Sequence, residues 1–395
     1  LTIITDAQAT RVVLEGPTGR KVATGVEYQT ANGEQCAIAA TKEVVLSGGA
    51  IGSPHLLLLS GIGPRAEIEA VGIRCQVDSP HVGKHLKDHL QLALFFPAPG
   101  VGVSMAEVGI SFGPDALRAP AGPLPADPAQ DAGMPAELQA LKREAERRIT
   151  EWATTGNGLV SSSLYDACAW FSTGLGDHHT HDAQIGFFPC GYTSELWLQC
   201  LRVDANQYFD DAATRLGPGA ENMIVLANPV QPRSEGEIVL ESADAAAHPA
   251  IRMNYFGDPH DMRVMLAVIR RCLDVVAHWP GRRTIGPLLI PPFLAEKHGH
   301  VEGGVPSDAL LEDLARHYAL TVYHVTSTCR MGSVVDPRLR VMGVERLRVA
   351  DASVMPNVVS GNTNAASIMI GEKAAEMLAA DHGVKLAEFV GEPPR

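Results

Sequence analysis

The first fifty residues alternate apolar and polar positions with a period of two. Residues 10–14 (Thr10-Arg11-Val12-Val13-Leu14), 25–28 (Gly25-Val26-Glu27-Tyr28) and 42–47 (Lys42-Glu43-Val44-Val45-Leu46-Ser47) read as short strands. Gly16-Pro17-Thr18-Gly19 and Asn32-Gly33 separate them, and Asn-Gly is a hairpin signal because both residues accept positive φ. The third run enters Gly48-Gly49-Ala50-Ile51-Gly52-Ser53-Pro54 and then an apolar stretch to Leu59. Ser53 is expected to cap a helix there and Pro54 to take its first position. A strand, glycines and a helix N-terminus let backbone amides approach an anion or a flat ring. On spacing alone, a plain tight turn accounts for the stretch equally well.

Further along, residues 97–135 are rich in Pro, Ala and Gly, and a long irregular loop serves either as a lid or as a surface insertion. Residues 135–152 read as a charged helix ended by Thr155-Gly156-Asn157-Gly158. Strand texture returns at 183–188, 223–227 and 236–240, and Met262 to His278 carries Met265, Val268, Ile269, Cys272, Val275 and Val276 at helical spacing. Tyr165, Trp170, Phe171, Phe187 and Phe188 are either core or the lining of an apolar cavity. A last strand, Leu347 to Asp351, precedes an apolar helix that opens after Asn362.

Composition narrows the function classes. With 395 residues, 46% hydrophobic and 19% charged, the chain is long enough for two domains with their own cores. A net charge of -13 and no basic block beyond the mixed run 142–148 argue against nucleic acid as a partner. No apolar run reaches the ~18–20 residues that span a bilayer, and residues 1–5 lack the features of a signal peptide. Seven cysteines without a CxxC pair point to a reducing, cytoplasmic compartment. His178-His179-Thr180-His181-Asp182 holds metal-ligand residue types. Three histidines within four residues rarely converge on one ion without a second element, so no metal site is expected.

The chemistry is concentrated near the end. Tyr323-His324-Val325-Thr326-Ser327-Thr328-Cys329-Arg330-Met331-Gly332 sets a histidine in a hydroxyl-rich loop, and about forty residues later Ser360-Gly361-Asn362-Thr363-Asn364 sets two amides in a turn. Oxidising an alcohol removes a hydroxyl proton and an α-hydride. Imidazole, with a pKa near 6.5, is a suitable base for the proton, and an amide N–H can stabilise the oxygen as charge develops. The hydride needs an acceptor that amino acids do not supply, so a flavin is implied.

Gly49 through Gly63 matches the second signature of the glucose-methanol-choline (GMC) family of flavin oxidoreductases. Val82-Gly83-Lys84-His85-Leu86-Lys87-Asp88-His89 and the block from Val334 to Ala375 also resemble that family. The sequence departs from the pattern at His85, where asparagine is usual, and at Ser327, where glycine is usual. The resemblance implies an α/β (α+β) GMC-like fold, with a Rossmann-like FAD-binding domain and a substrate domain whose antiparallel sheet is flanked by helices. Residues 1–89 would belong to the FAD-binding domain, 90–320 to the substrate domain with a lid-like loop at 97–135, and 321–395 to a return into the FAD-binding domain.

The same resemblance assigns His324 and Asn362 as the catalytic pair. It places Asp351 and Ala352 at the ribityl and phosphate part of FAD, Thr363 and Asn364 at the pyrimidine end of the ring, and Ala9 near the adenine. The implied reaction is oxidation of a primary alcohol to an aldehyde; a cavity lined by Tyr165, Trp170, Phe171, Phe187 and Phe188, if these are not core, would favour an aromatic or medium aliphatic alcohol. The hydride passes to flavin N5, and oxygen or another electron acceptor closes the cycle. Alternatives are a non-redox hydroxynitrile lyase on the same scaffold and an inactive binding fragment. No Gly-x-Gly-x-x-Gly dinucleotide loop occurs in the chain. The expectation is that an FAD-binding N-terminal segment of the same protein precedes Leu1, without which this chain binds FAD poorly and is inactive.

Overall fold

The alternating N-terminal pattern forms β1 (Ala7–Glu15) and β2 (Lys21–Thr30), paired antiparallel. A third strand, β3 (Gln35–Ala39), follows the Asn32-Gly33 turn and pairs with β2; after Gln35 its residues are all apolar, so no polar alternation marks it as a strand. The structure, a computed structural model, describes residues 1–99, 103–104, 143, 147, 149–156, 165, 167–176, 180–188, 190–191 and 222–385. Most of the expected lid 97–135 and the first part of the helix 135–152 lie outside the described residues. So do the first two histidines of the 178–182 cluster.

The chain divides into two units, one comprising residues 1–89, 230–261 and 321–395 and the other residues 90–229 and 262–320. The expected middle domain, 90–320, is therefore interrupted by 230–261. The reason is pairing: Gly236–Val239 joins both Lys84–Leu86 and Ala250–Arg252 in a three-stranded antiparallel sheet of the first unit. Gly83 makes this approach possible, because a Cβ there would sit 2.5 Å from the Ile238 carbonyl oxygen and its φ is +78°.

In the first unit, β4 (Val44–Leu46) runs parallel to Leu347–Val349, with Leu347 opposite Val44 and Val349 opposite Leu46. α1 (Gly49–Leu59) follows. Its start corrects the expected cap. The N-cap is Gly48, and Ser53 and Pro54 lie inside the helix. Ser53 Oγ instead accepts from the Gly48 N–H at 2.9 Å and donates to Asp351 Oδ2 at 2.6 Å. Pro54 cannot donate to the carbonyl four residues back, and that carbonyl, Ala50 O, accepts the Thr328 hydroxyl at 2.7 Å. A residue 278 positions away thus fills the gap that the proline leaves. Leu57, Leu58, Val44, Leu46, Val334, Val335, Leu347, Val349 and Ile370 form the core of this unit, each full burial of such a side chain contributing roughly 1.5–3 kcal/mol.

The second unit holds an antiparallel sheet in the order Ala167–Phe171, Ala183–Phe188, Asn222–Pro229, Leu90–Pro97. Residues 223–227 and Leu92, Leu94, Phe95 and Phe96 are buried. The helix Pro259–Ala277 contributes Met265, Val268, Ile269, Cys272 and Val276 to the core, whereas Val275 is exposed. Of the aromatic residues considered for a cavity, Tyr165 packs on Phe188 at 4.4 Å, Phe187 on Trp279 at 4.9 Å, and Trp170 is exposed. No helix among the described residues is long and apolar enough to cross a membrane.

Arg348 is 2% exposed and sits among charged partners. Its Nε meets Glu43 Oε2 at 2.7 Å, its Nη2 bonds Asp381, and its Nη1 donates to the Arg338 carbonyl at 2.8 Å. His382 Nε2 closes on Glu43 Oε1 at 2.5 Å. Burial alone would raise the Glu43 carboxyl; Arg348 and His382 outweigh it and hold it below the usual range. Removing one partner of such a pair strands the other charge, so Arg348→Met is expected to cost ~3–5 kcal/mol of stability. Urea unfolding followed by circular dichroism checks this.

Candidate active site

The His324 loop is fixed along its length by backbone bonds inside the first unit. Thr326 exchanges two hydrogen bonds with Lys87, at 3.2 and 2.9 Å, and Gly83 N–H donates to Thr328 O at 2.9 Å. On the other side Ser327, Cys329 and Met331 donate to the carbonyls of Ala352, Ser353 and Val354 at 3.3, 2.9 and 2.9 Å. The two departures from the family pattern have a backbone explanation. Ser327 has φ +75° and His85 has φ +61°, a region that glycine enters freely and that asparagine and histidine enter more readily than most residues. The position of Ser327 therefore suits glycine, and the position of His85 suits asparagine or histidine. Ser327 is buried, and its hydroxyl donates to Thr326 Oγ1 at 3.1 Å. His85 Nδ1 lies 2.6 Å from Glu235 Oε2, and its Nε2 lies 3.1 Å from His81 Nδ1.

Two adjacent residues hold His324. Asp88, buried, accepts the His324 backbone N–H on Oδ1 at 2.9 Å and the Tyr255 hydroxyl on Oδ2 at 2.6 Å. Burial, followed by this carboxylate, pushes the Tyr255 phenol well above its usual value. His89 holds the ring: the two Nδ1 atoms are 3.0 Å apart, with ring planes at 85°. His89 Nε2 lies 3.1 Å from the Val230 carbonyl oxygen. Burial, and then the neighbouring His324, push the His89 pKa down to about 4. His324 is half-buried, and desolvation lowers its pKa against the opposing pull of Asp88. Asp88, His89 and Tyr255 were not singled out from sequence; the only signal for the first two was their place at the end of the 82–89 segment.

Asn362 is exposed at the N-cap of the helix Thr363–Asp381, and its side chain does not cap that helix. Among the described residues no hydrogen bond joins the side chains of His324 and Asn362. The loop leading to Asn362 runs through Val359, Ser360 and Gly361. Gln231 Nε2 secures that loop through Ser360 Oγ at 2.8 Å.

The residues assigned to FAD are placed as follows. Asp351 spends its carboxylate within the protein, accepting from Gly49 N–H at 3.0 Å, Ser53 Oγ at 2.6 Å and Ser353 N–H at 2.8 Å. What Asp351 and Ala352 offer a cofactor is therefore their backbone. Thr363 and Asn364 stand in the first turn of a 19-residue helix without a side-chain cap. That end presents N–H donors and the positive end of a dipole, and the residues after Asn364 are Ala365 and Ala366. Such a donor set fits the electron-rich carbonyls of a flavin ring. Ala9 adjoins a β-bulge, because Ala9 pairs with Tyr28 and Arg11 with Glu27, leaving Thr10 out of register. Among the described residues no group of three or more His, Cys, Asp or Glu is arranged to hold a metal ion. Asp182 accepts from Thr173 N–H and Oγ1 at 2.7 and 2.5 Å.

The low pKa of His89 links this site to stability. The folded value, about 4, lies below the unfolded value of about 6.5, so the unfolded chain binds more protons and stability falls as pH drops from about 6.5 towards 4. Between pH 7 and pH 5 the loss from His89 is about 2 kcal/mol. Denaturant unfolding at the two pH values is expected to show a drop of this order, and His89→Asn is expected to flatten it. Equal slopes in the two proteins would exclude His89 as the source.

Family models described as GMC oxidoreductase match residues 1–91 and 232–371. An uncharacterised GMC-type oxidoreductase of Mycobacterium bovis is 32% identical over 384 residues, 96% of this chain and 60% of the relative. An alcohol dehydrogenase (acceptor) of Pseudomonas putida is 32% identical over 390 residues, covering 96% and 58%. An oxygen-dependent choline dehydrogenase of Rhizobium etli is 30% identical over 375 residues, covering 93% and 56%. This chain therefore spans about 60% of the length of the curated relatives it matches. Among solved structures, a formate oxidase of Aspergillus oryzae superposes with a TM-score of 0.72 at 24% identity, covering 97% of this chain and 61% of that one. A fungal aryl-alcohol oxidase superposes with a TM-score of 0.63 at 21% identity, covering 95% and 61%. The motifs, the two-unit fold and these relatives agree: the chain belongs to the GMC oxidoreductase family, whose cofactor is FAD.

Proposed function

We propose that this chain carries the catalytic half of an FAD-dependent enzyme that oxidises a primary alcohol to an aldehyde, with oxygen or another electron acceptor completing the cycle. The observation that carries the reading is His324 itself, a half-buried imidazole whose pKa burial depresses, held at its backbone by Asp88 and at its ring by His89. Such a group is unprotonated at neutral pH and available as a base. The names of the Pseudomonas putida and aryl-alcohol relatives support an alcohol as the substrate class.

His324 takes the hydroxyl proton: the alcohol O–H breaks and an imidazole N–H forms. Asn362, whose amide is not spent on capping its helix, donates an N–H to the substrate oxygen as negative charge develops, a contribution that needs no reorganisation. Acceptance of the hydride from the alcohol carbon is the chemistry that FAD supplies when bound. Ala9, the backbone of Asp351 and Ala352, and the helix end at Thr363 and Asn364 are the groups of this chain that would hold it.

The full-length FAD-loaded protein tests the reading. Anaerobic alcohol is expected to bleach the flavin absorbance, whereas turnover of a cyanohydrin without bleaching would favour a lyase. His324→Ala is expected to lose ~10²–10⁴ in turnover while keeping FAD; near-normal turnover would refute its assignment. Because the His324 pKa lies below the ordinary value of about 6.5, kcat/KM should hold level down to about pH 6.5 and fall only at lower pH, as the base protonates.

A further inference from the structure

We propose that His89 is a positioning residue that fixes the tautomer of His324, keeping its hydrogen on Nδ1 and its lone pair on Nε2, so that Nε2 is the atom that receives the substrate proton. The inference rests on the alcohol-oxidation reading above and names the nitrogen that acts in it.

The argument follows the hydrogen-bond chain from its fixed end. Val230 O is a carbonyl and can only accept. It lies 3.1 Å from His89 Nε2, so that nitrogen carries a hydrogen and donates. His89 is 2% exposed, and burial disfavours its charged form, so at neutral pH it has one ring hydrogen, already placed on Nε2. His89 Nδ1 is therefore a lone pair. It faces His324 Nδ1 at 3.0 Å, and of two imidazole nitrogens in such contact one must donate. His324 Nδ1 is the donor, and neutral His324 has its free lone pair on Nε2.

The surroundings agree with this direction. The charged group next to His324 is the Asp88 carboxylate, and its oxygens are engaged by the His324 backbone N–H and by the Tyr255 hydroxyl, not by the ring. A hydrogen bond of ordinary strength biases a tautomer equilibrium by up to about tenfold. The bond persists when His324 becomes protonated, because Nδ1 keeps its hydrogen while Nε2 gains the second, so the ring stays oriented through the proton transfer.

The test uses the full-length FAD-loaded protein with ¹⁵N-labelled histidine, its His324 ring signals assigned by their loss in His324→Ala. In the wild type at pH 7.5, Nδ1 is expected to show the protonated, pyrrole-type shift and Nε2 the unprotonated, pyridine-type shift. In His89→Leu, which removes the acceptor, the two signals should move towards averaged or inverted values, and anaerobic flavin reduction should slow about tenfold. His89→Asn, whose amide oxygen can take the place of Nδ1 as acceptor, should keep the wild-type signature. An unprotonated Nδ1 in the wild type overturns the proposal, as does an unchanged signature in His89→Leu. If His89→Leu does not fold, the wild-type and His89→Asn spectra decide. Normal turnover in His324→Ala would remove the functional reading alone, since the ring spectra report the tautomer independently of turnover.

Discussion

The buried guanidinium of Arg348 is the constraint on which the first unit depends. It neutralises Glu43 at the head of β4, bonds Asp381 at the end of the C-terminal helix, and satisfies the Arg338 carbonyl. Arg338 and Arg340 add their own bridges to Asp381 at 2.8 and 2.7 Å. One end of the strand Leu347–Val349 is thereby fixed against β4 and the helix Thr363–Asp381 is anchored at its far end. Two residues beyond that strand stands Asp351, and eleven beyond Asp351 stands Asn362. Errors in the placement of Arg348 would be passed directly to both.

A second tier of side-chain bonds converts this frame into a site. Asp351 ties the start of α1 to the turn after the strand, and Thr328 supplies the donor that Pro54 lacks. Both belong to segments that also support His324, so the helix N-terminus and the histidine loop are located by shared atoms. Asp88 and His89 then separate two tasks, one holding the backbone of His324 and the other its ring. Division of this kind permits a half-buried, weakly basic imidazole to stay ordered without an ion pair to its ring.

Much of this was legible in the sequence where the signal is local. The strands around Val12, Val26 and Val44, the helix from Met262, and the loops bearing His324 and Asn362 are all marked by period, glycine or hydroxyl content. The parts that were not legible depend on partners far away. Ser53 and Pro54 look like a helix start until the Thr328 hydroxyl is seen on Ala50 O. The strand Gln35–Ala39 is apolar on both faces after Gln35 and mostly exposed, so no alternation of apolar and polar residues marks it. Residues 230–261 follow a strand of the second unit in sequence, yet the pairing of Gly236 with Leu86 draws them into the first. His89 closes the family-like segment 82–89, but its task comes from a contact 235 positions away.

That distance has a consequence for how the protein is made. The bonds that create the first unit join Glu43 to Arg348, Gly49 to Asp351 and His89 to His324, separations of 305, 302 and 235 residues. Contacts so remote require the chain to close large loops before any gain is returned, which slows folding. During synthesis β4 would emerge long before the strand that completes it, with its edge and the apolar face of α1 uncovered, a state that favours association with other chains. The local order of the second unit, whose strands Ala167–Phe171 and Ala183–Phe188 are near neighbours in sequence, can form in that interval. The loop that carries His324 would therefore be among the last parts of the chain to acquire its structure.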